Sequence, residues 1–394
     1  MLQQQTIEII KSTVPLLEQN GREITDVFYA NLFANHPFLK NIFNKTNQSK
    51  GEQSRALSDA VLAYAKNIDN LEALTPVVER IAHKHASLGI QAKHYKVVGD
   101  TLLSAIQEVL ELPNGHAALS AWADAYAVLA QVFIAAESNI YQANKGQDGG
   151  WDGYRDFYID RVVEETPEVK SFYLKPMDLG RLPSFKGGQY VGVRVRPDNS
   201  EHFQIRQYSL SQQPNQDTLR ISVKAEHGGV VSNYLHTCIA GDAVSLQAPT
   251  GVFTLSKHKD KHIFVTGGVG ITPLYSMMQE AIISGIEASD ILFVQCTRDE
   301  NHLIFAQDLL ALAEKHSFHH KICYENTDKG DYEGYLKQEV LENWTQEAGF
   351  SPANSQVYFC GPKPFMAVLN QFFLAMKYDA ENIHYEVFGP TTNL

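Results

Sequence analysis

The sequence predicts a multidomain chain with an all-α domain first, an antiparallel β-barrel second and an α/β domain on a parallel sheet third. Three changes of hydrophobic period carry this prediction. Up to about Gln142 apolar residues recur at helical spacing, and from about Trp151 to Leu255 the period falls to two. From Ile263 onward, short apolar runs alternate with helical stretches. The expected boundaries are 1–146, 147–257 and 258–394.

A length of 394 residues fits several domains, because single cores stop growing well below it. The formal charge of −12 argues against nucleic acid or an anionic membrane as the main partner. The start, MLQQQTIEII, lacks a basic segment followed by a long apolar run, and no apolar stretch approaches the roughly 20 residues of a membrane span. A cytoplasmic protein is expected. The cysteines, Cys238, Cys296, Cys323 and Cys360, show no CxxC pairing, which suits reduced thiols.

In chain order, Ile7, Ile10, Val14 and Leu17 make one helical stripe, and Ile24, Phe28 and Leu32 a second, ended by His36-Pro37. Leu57, Val61, Tyr64 and Ile68 make a third. In the next, Val77, Ile81 and His85 fall at i, i+4 and i+8, so His85 lies on the apolar stripe and His83 does not. An imidazole aimed into a core needs a hydrogen-bond partner or a metal, and spacing leaves both open. Val98, Leu102, Ile106 and Val109 mark a helix stopped by Pro113, and Trp122, Tyr126, Ala130, Phe133, Glu137 and Ile140 mark a long last one, making six or more in all. The run Asn144 to Gly150 reads as a linker. Beyond it YVGVRVR and LRISV alternate like half-buried strands, and IFVTGG, DILFVQC and QVYFCGP read as buried parallel strands.

The last two thirds carry phosphate-binding chemistry. Arg206-Gln207-Tyr208-Ser209 follows a strand, and Gly228-Gly229-Val230-Val231-Ser232 opens a helix. An arginine fork and free helix N–H groups together suit a pyrophosphate, and the tyrosine and serine can face a flat ring. Thr266-Gly267-Gly268-Val269-Gly270-Ile271-Thr272-Pro273 follows the strand IFV, with Thr272 expected to cap the next helix and Pro273 to take its first position. Cys360-Gly361-Pro362 ends another strand at the same sheet edge. These motifs resemble the flavin and nicotinamide domains of the ferredoxin reductase superfamily. That resemblance implies FAD on the first pair, with Tyr190, and NADH or NADPH on the second. Phe388, near the chain end, becomes the candidate to cover the flavin. Arg298 could accept a 2′-phosphate or be an ordinary loop arginine, which leaves the nucleotide undecided.

The helical third has further inward polar residues. Tyr95 precedes Val98 and Leu102 at i+3 and i+7, and Glu137 sits on the buried stripe of the last helix, where a carboxylate requires a partner. His85, Tyr95 and Glu137 can therefore meet. Tyr29 and Gln53 lie on earlier helices. Along its whole length the chain resembles the flavohaemoglobins, most specifically in DAVLAYAKNIDNL, IAHKHASLGI, RQYSLS and NIHYEVFGP.

The resemblance implies haem b with His85 as the proximal iron ligand and Phe43 against the porphyrin. It assigns Tyr29, Gln53 and Leu57 to the distal pocket, Tyr95 and Glu137 to the proximal side, and Lys84 and Glu386 to the flavin-facing edge. Val387 departs from the family, where cysteine is common. The implied activity is nitric oxide dioxygenation, with electrons passing from NAD(P)H through FAD to haem, and O2 and NO as small-molecule partners. The implied protein is a monomer, with room for a lipid in the haem pocket. Two other activities fit the same domains: an oxygen or redox sensor, and a reductase of oxygen, hydroperoxides or ferric chelates.

Overall fold

A computed structural model describes residues 2–43, 51–198, 200–256 and 258–389. The N-terminal domain is helical throughout. Its first element, α1 (Gln4–Asn35), is one helix of 32 residues where the sequence suggests two. The stripes through Leu17 and from Ile24 are continuous, because Ile10, Thr13, Leu17, Gly21, Ile24, Phe28 and Leu32 form one unbroken buried line that runs past Pro15. The packing of that line outweighs the one hydrogen bond lost at proline. The helices α2 (Glu52–Lys66), α3 (Thr75–Leu88), α4 (Ala92–Val109) and α5 (Ala117–Gly146) complete the domain, with short 3₁₀ segments at Pro37–Asn41 and Leu71–Leu74. Among the described residues this is five α-helices rather than six, because the first two stripes merge.

Helix α5 also absorbs the start of the expected linker, running to Gly146. By length and composition it is the one helix among the described residues apolar enough to cross a membrane. It is a core helix, however: Trp122, Ala125, Phe133 and Glu137 are buried in the domain, and Trp122 donates to Thr13 of α1 at 3.2 Å.

The middle domain is a six-stranded antiparallel sheet: β1 (Arg155–Thr166), β2 (Val169–Pro176), β3 (Tyr190–Val195), β4 (Gln204–Ser209), β5 (Leu219–Lys224) and β6 (Ala243–Leu246). The strand order is β4-β3-β6-β1-β2-β5, and a bridge from Leu210 to Ile221 joins the two edges into a barrel. Closure removes the exposed edges that such a sheet would otherwise offer. The helix α6 (Val230–Thr237) packs against it.

The third domain is a sheet in the order β10-β9-β8-β7-β11-β12, parallel at every pairing. Its strands are β7 (Lys261–Gly267), β8 (Ile291–Thr297), β9 (His319–Tyr324), β10 (Tyr332–Glu333), β11 (Ser355–Cys360) and β12 (Ile383–Glu386). The helices α7 (Ile271–Ile283), α8 (Ala306–His316), α9 (Gln338–Glu347) and α10 (Lys363–Ala375) connect them. With both faces covered, β7, β8 and β11 are nearly continuous buried runs. The strand order reverses between β7 and β11, which makes the gap beyond their carboxyl ends the place where such sheets bind ligands.

One face of this sheet carries an aromatic row across five strands: His320, Phe293, Phe264, Tyr358 and His384 are register partners in turn. Neighbouring ring centroids lie 6.2, 6.1, 5.4 and 4.8 Å apart. The Nε2 atoms of both terminal histidines are buried without a hydrogen-bond partner. Burial lowers the pKa of both rings, against Asp331 near His320 and in concert with His258 and His262 near His384. The unfolded chain therefore takes up protons first as pH falls below about 6.5, and stability present above that pH is lost below it. Urea unfolding between pH 7.5 and 5.5 is expected to show this loss, with a slope of up to about 1.4 kcal/mol per pH unit for each ring. Replacing both histidines with phenylalanine should flatten the profile.

Candidate active site

Helix α3 supplies the centre of the site. Pro76 lies in its first turn, and Gly89, at φ 73°, ends it in a left-handed turn. His85 Nδ1 lies 2.7 Å from Glu137 Oε1 and 3.1 Å from the Tyr95 hydroxyl, and Tyr95 donates to that same carboxylate oxygen. A carboxylate has no hydrogen to give, so Nδ1 is the donor and Nε2 is the nitrogen left to face a ligand site. This is the tautomer and orientation that a metal-ligating imidazole requires. Glu137 is 2% exposed, and burial together with its charge pushes the Tyr95 hydroxyl far above its usual range. Tyr95 therefore stays a donor.

In the same domain Tyr29 is buried among Phe28, Phe33 and Phe43, with ring centroids 4.9, 5.9 and 5.9 Å away. Burial pushes its hydroxyl far up. Leu57 packs against this core, and Gln53 Oε1 is buried with no hydrogen-bond partner. Among the described residues no hydrogen bond joins Tyr29 or Gln53 to the His85 set. The donor set fits a haem: one pinned imidazole that would hold its iron, and in the same apolar core a phenol and the Gln53 amide for a small polar ligand.

The other side of α3 meets the barrel. His83, off the apolar stripe, is not a solvated side chain: its Nδ1 accepts from Gly251 N–H at 3.1 Å and contacts the Thr250 hydroxyl. Gln207 on β4 donates to Ser87 Oγ at 3.1 Å, and Tyr154 donates to the Leu88 carbonyl at 3.2 Å. Gly192 on β3 sits so close that a Cβ there would stand 1.8 Å from the Ser87 carbonyl oxygen. Lys84 donates to the Gly389 carbonyl near the chain end. It faces Glu386, whose carboxyl burial raises although Lys84 and Arg80 oppose the shift. The hydroxyl of half-buried Tyr190 is pushed far up by desolvation and by Glu386. Lys84, Tyr190 and Glu386 thus come from three domains to one place.

On the barrel, burial lowers the Arg206 guanidinium, which also bonds the Ile205 carbonyl at 2.8 Å, and Tyr208 lies beside it. Ser209 ends β4 and is buried. Gly229 is the N-cap of α6, with Val230 exposed and Val231 buried behind it. Ser232 Oγ accepts the Glu226 N–H at 3.2 Å, so it shapes the turn. A half-buried arginine and, on the same barrel domain, a helix N-terminus are the two elements a pyrophosphate needs. Phe388 is 47% exposed, and Val387 packs on the nucleotide domain. Pro390, the last residue of the terminal run, lies outside the described residues.

At the sheet edge, Gly268–Gly270 is a 3₁₀ turn and α7 begins at Ile271. Thr272 is therefore inside the helix and does not cap it: its hydroxyl donates to the Val269 carbonyl at 3.0 Å, and Pro273 follows at the third position. The 3₁₀ turn uses the residues that spacing alone assigns to a plain loop. A Cβ on Gly270 would stand 2.2 Å from the Cys360 carbonyl oxygen, so the turn touches Cys360-Gly361-Pro362 after β11. Thr266 Oγ1, at the end of β7, is buried with no partner. Side-chain-free backbone and an orphaned hydroxyl at a switch point fit a nucleotide. Burial holds the Cys360 thiol well above its usual range, and it donates to the Glu386 carbonyl at 3.3 Å.

Three family models match in series: a globin over residues 26–133, an oxidoreductase FAD-binding domain over 163–255 and an oxidoreductase NAD-binding domain over 264–371. A flavohemoprotein of Bacillus thuringiensis subsp. konkukian is 43% identical, covering 100% of both chains. That of Bacillus subtilis is 40% identical over 100% of this chain and 99% of its own. The fold is similar to a flavohemoglobin from Malassezia yamatoensis solved with FAD and heme, at TM-score 0.88, 23% identity, and 98% and 100% coverage. It is also similar to the FAD/NAD-binding domain of a Vibrio cholerae nitric oxide dioxygenase, at TM-score 0.55 and 31% identity over 60% of this chain and 99% of that one. With whole-length identity of this order and all three domains in the same sequence, the chain belongs to the flavohemoprotein (flavohaemoglobin) family.

Proposed function

We propose that this chain is an NAD(P)H-dependent nitric oxide dioxygenase, which turns two nitric oxide and two dioxygen molecules into two nitrate ions per NAD(P)H oxidised. The observation that carries the reading is helix α3, which presents His85 to the globin interior and, one residue away, Lys84 to the flavin-side cluster. The Vibrio domain named for this activity, 31% identical, supports it. The bound groups would supply a hydride carrier, a flavin able to pass electrons singly and an iron that accepts them one at a time.

The chain's own residues supply position and electrostatics. His85 would hold haem, with Glu137 and Tyr95 keeping its orientation and enriching its electron donation. Phe43 and Leu57 wall the haem pocket, and Tyr29 and Gln53 hydrogen-bond a small ligand and the charge that develops on it. Arg206, Gln207, Tyr208, Ser209 and Tyr190, with Gly229 to Ser232, hold FAD, while Lys84, Glu386 and Phe388 border its ring. Gly268 to Pro273 and Cys360 to Pro362 hold the nicotinamide nucleotide. The three units are 1–146, 147–257 and 258–394, in a cytoplasmic monomer whose apolar haem pocket has room for a lipid chain.

Stopped-flow mixing of the oxygenated protein with nitric oxide is expected to consume both rapidly and yield nitrate; a slow reaction, or nitrite as main product, would sink this reading. Cofactor retention should separate in reciprocal variants: His85→Ala loses the Soret band and keeps flavin absorbance, while Arg206→Ala loses flavin and keeps haem. Tyr29→Phe removes a hydrogen bond worth about 1.5–3 kcal/mol to a charged acceptor. Dioxygen is therefore expected to leave at least about tenfold faster in flash photolysis, and an unchanged off-rate excludes the assignment.

A further inference from the structure

The nucleotide edge has a charged segment to which no role is yet given. Strand β8 lies beside β7 and ends at Thr297, so Arg298, Asp299 and Glu300 stand one strand over from the glycine turn. In nucleotide-binding α/β units the end of the strand after the phosphate turn reads the adenosine ribose. An acidic side chain there accepts from a free 2′-hydroxyl, whereas an arginine pairs with a 2′-phosphate. This chain has both residue types, so composition does not decide between the two nucleotides.

The pairings do decide. Arg298 Nη2 lies 2.7 Å from Glu168 Oε2, and Glu168 comes from the flavin barrel, in the tight turn between β1 and β2. The ion pair also holds the Glu168 carboxyl below its usual range. Asp299 Oδ1 takes hydrogen bonds from His302 Nδ1 at 2.6 Å and from Asn301 N–H at 2.9 Å, and Glu300 pairs with Lys329. Glu325 acts on Arg298 as well. A dianionic 2′-phosphate arriving here meets several carboxylates and a guanidinium already engaged. To use Arg298 it must displace Glu168 and then sit beside the freed carboxylate.

We propose that Glu168, reaching from the flavin barrel, sets the choice of nicotinamide nucleotide: by holding Arg298 it makes the site take NADH, with its free 2′-hydroxyl, in preference to NADPH. This rests on the reading of the glycine turn as the nicotinamide-nucleotide site. The pair is half exposed, 46% for Arg298 and 38% for Glu168, so the effect is several-fold and salt-sensitive rather than absolute.

The test uses the full-length protein loaded with haem and FAD, titrated calorimetrically with NAD⁺ and NADP⁺ and assayed for kcat and KM with NADH and NADPH. Glu168→Gln is expected to tighten NADP⁺ binding and raise kcat/KM for NADPH about fivefold, through KM, while NADH changes less than about twofold. The gain should vanish in Glu168→Gln/Arg298→Gln and shrink as salt rises. An unchanged NADPH/NADH ratio in Glu168→Gln would overturn the proposal. So would Arg298→Gln alone weakening NADPH as much as it does in the Glu168→Gln background, since Arg298 would then already serve the phosphate. Failure of the unaltered protein to bind either nucleotide would instead overturn the nucleotide site itself, and this proposal with it.

Discussion

Helix α3 has to satisfy two partners one residue apart, and the arrangement of the molecule depends on that. Successive residues of a helix point about 100° apart, so Lys84 and His85 address different domains from one backbone. Glu137 pins His85 from inside the globin, at 2.7 Å, in a site where the carboxylate is buried. On the barrel side, Gly192 lets β3 come against the Ser87 carbonyl, and His83 takes the Gly251 N–H. A rotation of α3 to improve either face would break the other.

The chain end closes the same junction from the third domain. Lys84 binds the Gly389 carbonyl, Cys360 binds the Glu386 carbonyl, and half-buried Glu386 sits near Lys84, Arg80 and Tyr190. The Glu386 carboxyl is raised because desolvation outweighs its two cations, which makes this a junction where charge is costly and position is set by backbone contacts. Arg80 Nε, buried there without a partner, belongs to the same costly environment. Such a cluster holds three domains in one orientation where a looser surface contact would let them slide.

The barrel and nucleotide domain are joined by different means. Arg220, whose side chain is 4% exposed, donates to Asp308 at 2.8 Å and lies over the Phe305 ring, 4.4 Å from its centroid. Gly187 N–H donates to Glu280 at 2.7 Å, and Ser276 donates to the Gln212 carbonyl at 2.7 Å. The guanidinium is buried while Asp308 is 46% exposed, so the ring contacts and the backbone hydrogen bonds hold this interface more than the ion pair does. The Glu168–Arg298 pair lies on the same boundary but is half exposed, where its worth is small in stability and larger in what it denies to a ligand.

The order of the three folds was legible in the sequence because hydrophobic period is a local property, as was the inward aim of His85, Tyr95 and Glu137. Helix ends were less legible: the stripes through Leu17 and from Ile24 read as two helices, yet a continuous buried line carries α1 through both. Thr272 and His83 were misread or passed over for a like reason, since a cap or a docking contact depends on where the backbone turns and on what packs beside it. Family motifs named His85, Arg206 and the glycine turn as chemistry, which periodicity alone left open. The sequence by itself determined the order of the three domains and which polar side chains face inward. Only the tertiary structure decided their partners, because these pairings join residues far apart in the chain, 52 positions for His85 and Glu137 and 305 for Lys84 and Gly389, and no local pattern spans such distances.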